Sequence, residues 1–365
     1  MKVIVKKYLN VRTGTPSVNA PCYNYLAPGS RIEVEANLVV GDSYQDNNLW
    51  YKGLDGSYYW SGGVDPIILH ESGNKTSFNW FKELAIESIW EKYSERGENA
   101  CIAVLDTGFK TDNSELSVAE ADRNVFISYP DVKVCNTITD LMGHGTRCAS
   151  IIGSRNQSQY FVGIAPKSRL LVGKISCRME LLDPETILKG IEWAVDKGAD
   201  IVSISFGFKF DSPQKQDDYE KRLEQLIQNK KILIFASAGN NFTNTGNPMF
   251  GENYPASFDS CISVGASNNG AFDNVTLQSN KTIIHAPGRN IESFELGATP
   301  IPASGTSFST PIVAGIAALG ISYMKKKNQG NWDPNLIRQK LYKTALPLTG
   351  NKKNINPLQF FGELK

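Results

Sequence analysis

Three short motifs hold residue types that can carry out acyl transfer through a serine. That chemistry needs a nucleophilic hydroxyl, a base to take its proton, a carboxylate to orient the base, and donors for the oxyanion. LDTG ends an apolar run and places Asp106 at its carboxyl end. GHGTRCAS sets His144 between two glycines at the head of an apolar helical pattern, and SGTSFSTP sets Ser307 where small residues enter a long helix near Thr306. A helix start there presents unpaired N–H groups and the positive end of the dipole. Taken singly, DTG fits a turn with an N-cap, GHG a tight turn, and GTS a helix cap. Together, Asp then His then Ser is one of the chain orders in which catalytic triads occur.

The elements that must position these residues follow from periodicity. From about Thr76 onward strands alternate with helices, which predicts an α/β domain with a mostly parallel sheet covered on both faces. An amphipathic helix is expected over Trp80–Tyr93, then a strand Cys101–Leu105. Asp183 and Pro184 supply an N-cap and a first helical residue. The stripe Ile187, Leu188, Ile191, Val195 follows, with a stop near Gly198. A strand over Asp200–Phe206, a helix over Gln214–Asn229 and a strand over Ile232–Ala236 come next. Val313–Leu319 reads as part of a long buried helix, and Asp333-Pro334 caps a final one. No internal repeat is visible.

The segments AVLDTG, GHGTRCASIIG, VGIAPKSRLLVGKI, GIEWAVDKGADIVSISFG, FASAGNN, YPASFDSCISVGAS, HAPG and ASGTSFSTPIVAGIAAL resemble the subtilases, in that family's order, from Trp80 to Leu348. The resemblance implies a subtilisin-like three-layer peptidase domain over residues 78–365 and a serine endopeptidase activity. Ser307 would be the nucleophile, His144 the general base and then acid, and Asp106 the group that fixes the imidazole tautomer. Asn240, in SAGNN, would be the side-chain oxyanion donor, with the Ser307 backbone N–H beside it. On its own Asn240 also reads as a turn residue after Gly239. An extended peptide would be held along Ser205, Phe206 and Gly207, and along Arg178–Leu182, which lacks the family's usual glycines. Ala238, Gly239 and Asn253 would wall the primary specificity pocket.

The family's acidic loop after the catalytic aspartate reads FKTDNSEL here. Lys110 stands at an acidic position, Asn113-Ser114 replaces His-Pro, and Glu115 replaces an aspartate that often contributes to a calcium site. An ammonium works against calcium, so no metal is expected there, and no cofactor is expected for the reaction. His70 and His285 fall outside the motifs and read as structural.

Residues 1–66 differ from the rest. Short runs at Val3–Val5, Arg31–Val34, Trp50–Lys52 and Tyr58–Trp60 are separated by turn signals such as APGS and LDGS. This pattern indicates a small all-β barrel and resembles bacterial SH3-like domains, with residues 67–77 as a linker. Secreted subtilases normally carry an inhibitory propeptide at this place. The segment is expected to replace it by docking a protein or cell-wall ligand, or by shading the cleft.

The chain has 365 residues, 41% hydrophobic and 21% charged, with a formal net charge of +1. That balance gives no electrostatic reason to expect nucleic acid or an anionic membrane as partner. No apolar run reaches the about 18 residues of a membrane span. MKVIVKKYLN lacks the apolar stretch of a signal peptide. The six cysteines (Cys22, Cys101, Cys135, Cys148, Cys177, Cys261) show no metal-type spacing and read as buried free thiols, although the even count leaves disulfides open. Both points favour the cytoplasm, or secretion if a leader has been removed. Besides an active endopeptidase, two readings stay open: a latent protease opened by a partner, and a peptide- or cell-wall-binding protein on a subtilase fold. Activity of the isolated chain on a denatured protein separates the first two. The complete triad argues against the third.

Overall fold

The computed structural model describes residues 2–6, 9–26, 30–44, 47–66, 78–127, 133–155, 161–177, 182–241, 251–277, 279–297 and 299–364. The chain divides into two compact units, Met1–Asn74 and Lys75–Lys365. The segment 67–77, expected as a linker, lies outside the described residues.

The first unit is all-β. Its antiparallel strands run, in spatial order, Cys22–Leu26, Leu9–Arg12, Tyr58–Trp60, Asn47–Gly53, Arg31–Tyr44, Lys2–Val5 and Val64–Pro66. Val3, Val5, Ile32, Val34, Trp50, Tyr59 and Trp60 form its core. The indole N–H groups of Trp50 and Trp60 donate to the carbonyls of Asp42 and Asn47, each at 2.9 Å, so both rings are buried without an orphaned donor. One expectation is corrected: the run at Arg31–Val34 continues as a 14-residue strand to Tyr44, with register shifts after Val34 and Val40. Turn residues such as Gly41 sit inside this strand, where irregular pairing absorbs them.

The second unit is a three-layer α/β domain. Its parallel strands lie in the order Ile284–Pro287, Cys261–Asn268, Leu233–Ser237, Ile201–Ile204, Cys101–Asp106, Arg169–Lys174 and Arg123–Val125. Alternation along Cys101–Asp106 divides the core. Ile102 and Val104 face a cluster with the helices His144–Gly153 and Thr306–Lys327. Ala103 and Leu105 face Ile187, Ile191, Tyr219 and Leu223 of the helices Pro184–Asp196 and Pro213–Ile227. Both faces are covered, which is why these strands read as continuous apolar runs. The helix Thr306–Lys327 has the length and hydropathy of a membrane span, but its most apolar window is 89% buried in the protein. It is the core helix of the domain, and it carries Ser307 in its first turn.

Two helices differ from expectation. Trp80–Tyr93 is broken into Asn79–Glu83 and Ile86–Tyr93, because Ala85 adopts φ 50°. A further helix, Pro357–Gly362, follows Pro334–Thr344, so the one capped by Asp333 is not the last. Asn356 caps it by accepting from the Gln359 N–H, with Pro357 in its first turn.

Candidate active site

Neighbouring parallel strands deliver the candidate residues to one edge. Asp106 ends its strand opposite Lys174, and Ser205–Gly207 follow the adjoining strand Ile201–Ile204. Ala238–Asn240 follow the next, Leu233–Ser237. Carboxyl ends of parallel strands are where open α/β sheets build sites.

Asp106 is fully buried, and its Oδ1 lies 2.7 Å from His144 Nδ1. The same oxygen accepts from the Thr107 N–H at 2.8 Å, while Oδ2 is buried without a hydrogen-bond partner among the described residues. Burial by itself would lower the His144 pKa. The Asp106 charge and hydrogen bond outweigh it, and the net shift is upward from 6.5. With Nδ1 facing the carboxylate, Nε2 is the nitrogen left for proton transfer. The ring is flanked by Phe206 and Phe308, with centroids 5.5 and 5.6 Å away.

The GHG turn is held by a residue the sequence reading did not single out. Gly143, with φ +75°, precedes the helix and offers no side-chain cap. Asp140 does that work. Its Oδ1 accepts from the N–H groups of Met142 and Gly143 and from Thr107 Oγ1, and its Oδ2 accepts from the N–H and hydroxyl of Thr146. Thr107 Oγ1 in turn accepts from the Gly145 N–H at 2.8 Å, locking the aspartate strand to the histidine helix. The signal was an acidic residue four positions before His144, in TDLMGHG.

Ser307 is nearly buried, in the first turn of its helix. Pro311 sits four residues on and has no N–H, so the Ser307 carbonyl lacks its usual helical donor. Ser205 Oγ donates to it at 2.7 Å and Cys148 Sγ at 3.5 Å. The Ser307 hydroxyl donates to the Ser205 carbonyl at 3.2 Å, and among the described residues it makes no hydrogen bond to His144. Asn240 Oδ1 accepts from the N–H and hydroxyl of Thr306, at 2.9 and 3.0 Å. Its amide oxygen is thus occupied at the helix start, and its NH2 group is left as donor.

Asp106, His144 and Cys148 bring ligand-type atoms within 4.8 Å of one another. His144 Nδ1 is already engaged by Asp106, and burial pushes the Cys148 thiol well above its ordinary pKa, so a thiolate is not at hand for a metal. Glu115 is buried and accepts from Ser154 Oγ at 3.0 Å. Lys110 pairs with Asp112 at 2.6 Å. Of the expected substrate segments, Ser205, Phe206, Gly207, Ala238, Gly239 and Asn253 lie at this edge, with Asn253 Nδ2 donating to the Ser237 carbonyl at 2.9 Å. Residues 178–181 and His70 lie outside the described residues. His285 is fully buried on the strand Ile284–Pro287, its Nδ1 3.2 Å from the Ile283 carbonyl.

The cysteine reading is corrected. Cys135 and Cys177 form a disulfide across 42 residues, while Cys101, Cys148 and Cys261 are buried free thiols and Cys22 is exposed. The bridge joins the segment leading to the GHG turn to the end of the strand Arg169–Lys174, a long-range proximity that spacing does not reveal.

A family model described as the subtilase family matches residues 97–362. The chain belongs to the subtilase family. Residues 97–362 of this subtilase form a serine-type endopeptidase domain. It is 30% identical to the intracellular serine protease of Paenibacillus polymyxa over 272 residues, 73% of this chain and 79% of that protein. It is 30% identical to subtilisin of Bacillus pumilus over 251 residues, 68% of this chain and 84% of the relative. The match to the minor extracellular protease Epr of Bacillus subtilis (strain 168) is 31% over 286 residues. It covers 77% of this subtilase and 41% of Epr, so the chain spans less than half of that relative. Among solved structures, the prenylagaramide maturation protease PagA superposes with a TM-score of 0.62 at 26% identity, covering 77% of this chain and 98% of the other.

Proposed function

We propose that this subtilase cleaves internal peptide bonds of polypeptides through Asp106, His144 and Ser307, with Asn240 as oxyanion donor. Ser307 Oγ attacks the scissile carbonyl while His144 Nε2 takes its proton. Asp106 holds the imidazole and stabilises its charged form. The Asn240 NH2 group and the Ser307 N–H stabilise the oxyanion. His144 then protonates the leaving amine, and water releases the acyl group by the same steps in reverse. The observation that carries this reading is the 2.7 Å His144–Asp106 contact, made at the strand edge where the helix bearing Ser307 begins.

The substrate is proposed to add as a strand along Ser205-Phe206-Gly207, with its specificity side chain between that segment and Ala238-Gly239. A substrate N–H arriving at the Ser205 carbonyl would compete with the Ser307 hydroxyl now bound there, freeing it to turn toward His144. No cofactor enters these steps. Residues 1–66 are proposed to recruit a protein or cell-wall ligand. Leu38, Val40 and Leu49, all exposed on the hairpin of Arg31–Tyr44 and Asn47–Gly53, support that role. For location, the relatives' names include both intracellular and extracellular proteases. The Cys135–Cys177 disulfide favours an oxidising compartment over the cytoplasm.

The deciding experiment is labelling with a fluorophosphonate probe. The intact chain is expected to label and Ser307→Ala is not. A folded intact chain that fails to label would remove the activated-serine assignment. Deleting residues 1–66 should change activity toward a natural substrate or its recruitment.

A further inference from the structure

If Ser205–Gly207 and Ala238–Gly239 wall the pocket for the side chain preceding the scissile bond, as proposed above, a side chain of the protein itself already stands between those walls. Asn253 lies between the two walls. Its amide packs flat on Gly207: a Cβ built there would sit 2.0 Å from Oδ1, 2.1 Å from Nδ2 and 2.3 Å from Cγ. On the opposite side, a Cβ on Gly239 would meet Asn253 Cγ at 3.2 Å and its Cβ at 3.3 Å. One side chain in contact with both glycines spans the gap.

Asn253 is also fixed in place. Nδ2 donates to the Ser237 carbonyl at 2.9 Å, and its N–H donates to Ser257 Oγ at 3.1 Å. The next residue is tied down by two backbone bonds with Phe208, at 2.9 and 3.0 Å. The Tyr254 ring is buried against Phe210 and Phe258. Swinging the amide aside to admit a large side chain would leave the Ser237 carbonyl without this donor and disturb a packed aromatic cluster.

We propose that Asn253 closes the specificity pocket, so that cleavage follows small side chains (alanine, serine or glycine) and discriminates against leucine and phenylalanine. The glycines at 207 and 239, which by themselves make an open slot, serve here to accommodate the asparagine.

The test uses the full chain and fluorogenic peptides that differ only in the residue before the scissile bond, on enzyme quantified by fluorophosphonate labelling. The alanine peptide should exceed the phenylalanine peptide in kcat/KM by about 10-fold or more, the scale on which a pocket rejects a group too large for it. Asn253→Gly should raise the phenylalanine peptide by about 10-fold or more, and Asn253→Ala, which keeps a Cβ, should fall between. Labelled wild-type enzyme that cleaves the phenylalanine peptide as well as the alanine peptide overturns the proposal. So does a folded, labelled Asn253→Gly with the order unchanged. A chain that does not label at all overturns the serine assignment, and the pocket with it.

Discussion

Pro311 deprives the Ser307 carbonyl of its helical donor, and Ser205 Oγ supplies the replacement at 2.7 Å. The backbone of the proposed nucleophile is thereby tied to the strand segment proposed to hold substrate, while its hydroxyl returns a bond to the Ser205 carbonyl. Ser205→Ala removes the stronger of the two donors and leaves the weak thiol of Cys148. A buried acceptor deprived of its partner costs about 1–3 kcal/mol. We expect a fall of that size in unfolding free energy, with a lower kcat. Unchanged values in both would show that the carbonyl is satisfied otherwise.

Asn240 does two things that one substitution can separate. Its oxygen caps the helix at Thr306, and its NH2 group is the oxyanion donor proposed above. Asn240→Ala loses both, so about 1 kcal/mol of stability should go with the cap, and kcat should fall about 10²- to 10³-fold. Asn240→Asp keeps the capping oxygen at the positive end of the helix but loses the donor. It should hold its stability while losing at least as much kcat as the alanine variant. Equal kcat in wild type and Asn240→Asp would remove the oxyanion role.

As the proposed general base, His144 should set an acid limb whose position follows from its environment. Burial lowers its pKa, but Asp106 raises it more, so the protonated, inactive form persists above pH 6.5. The kcat/KM profile should therefore rise with pH through a midpoint higher than 6.5. Asp106→Asn removes the charge and leaves the burial. The midpoint should then move to lower pH while kcat drops by about 10⁴. A midpoint that does not move would assign the limb to another group.

The parts of this site that were legible in the sequence are those coded locally. LDTG, GHG and SGTS each mark an element boundary, and the strand expected at Ile232–Ala236 appears as Leu233–Ser237. What stayed hidden depends on contacts distant in sequence. Ala85 is a good helix former, yet it breaks the helix at φ 50°, while Leu84, Ile86 and Ile89 are all buried around it. Asp140 was not singled out, because the five donors that converge on it, from Thr107, Met142, Gly143 and Thr146, meet only in the fold. The helix at Pro357 was missed although its Asn-Pro start has the same chemistry as Asp333-Pro334.

The disulfide was invisible for a related reason: 42 residues separate Cys135 from Cys177, and only the folded sheet brings them together. Cross-linking a loop of this length restricts the unfolded chain by up to about 4 kcal/mol in the entropic account. Cys135→Ser combined with Cys177→Ser should lower the unfolding free energy by roughly 2–4 kcal/mol, and reductant should act on wild type but not on the double variant. Equal denaturation curves for the wild type with and without reductant would show that the bridge contributes nothing.

His285 gives a second pH effect, on stability and of opposite origin. It is fully buried, burial pushes its pKa down to about 4, and Nε2 has no hydrogen-bond partner among the described residues. Between pH 6.5 and about 4 the unfolded chain binds a proton here that the folded chain does not. Stability from this group is therefore complete above 6.5 and is lost as pH falls toward 4, by about 3 kcal/mol in total. His285→Asn removes the titration. Guanidinium denaturation at pH 7 and pH 4.5 should show wild type losing more stability than the variant by most of that amount. Identical losses in the two proteins would mean that His285 takes up its proton in the folded state, and the buried Nε2 would then need a partner that opens to reach it.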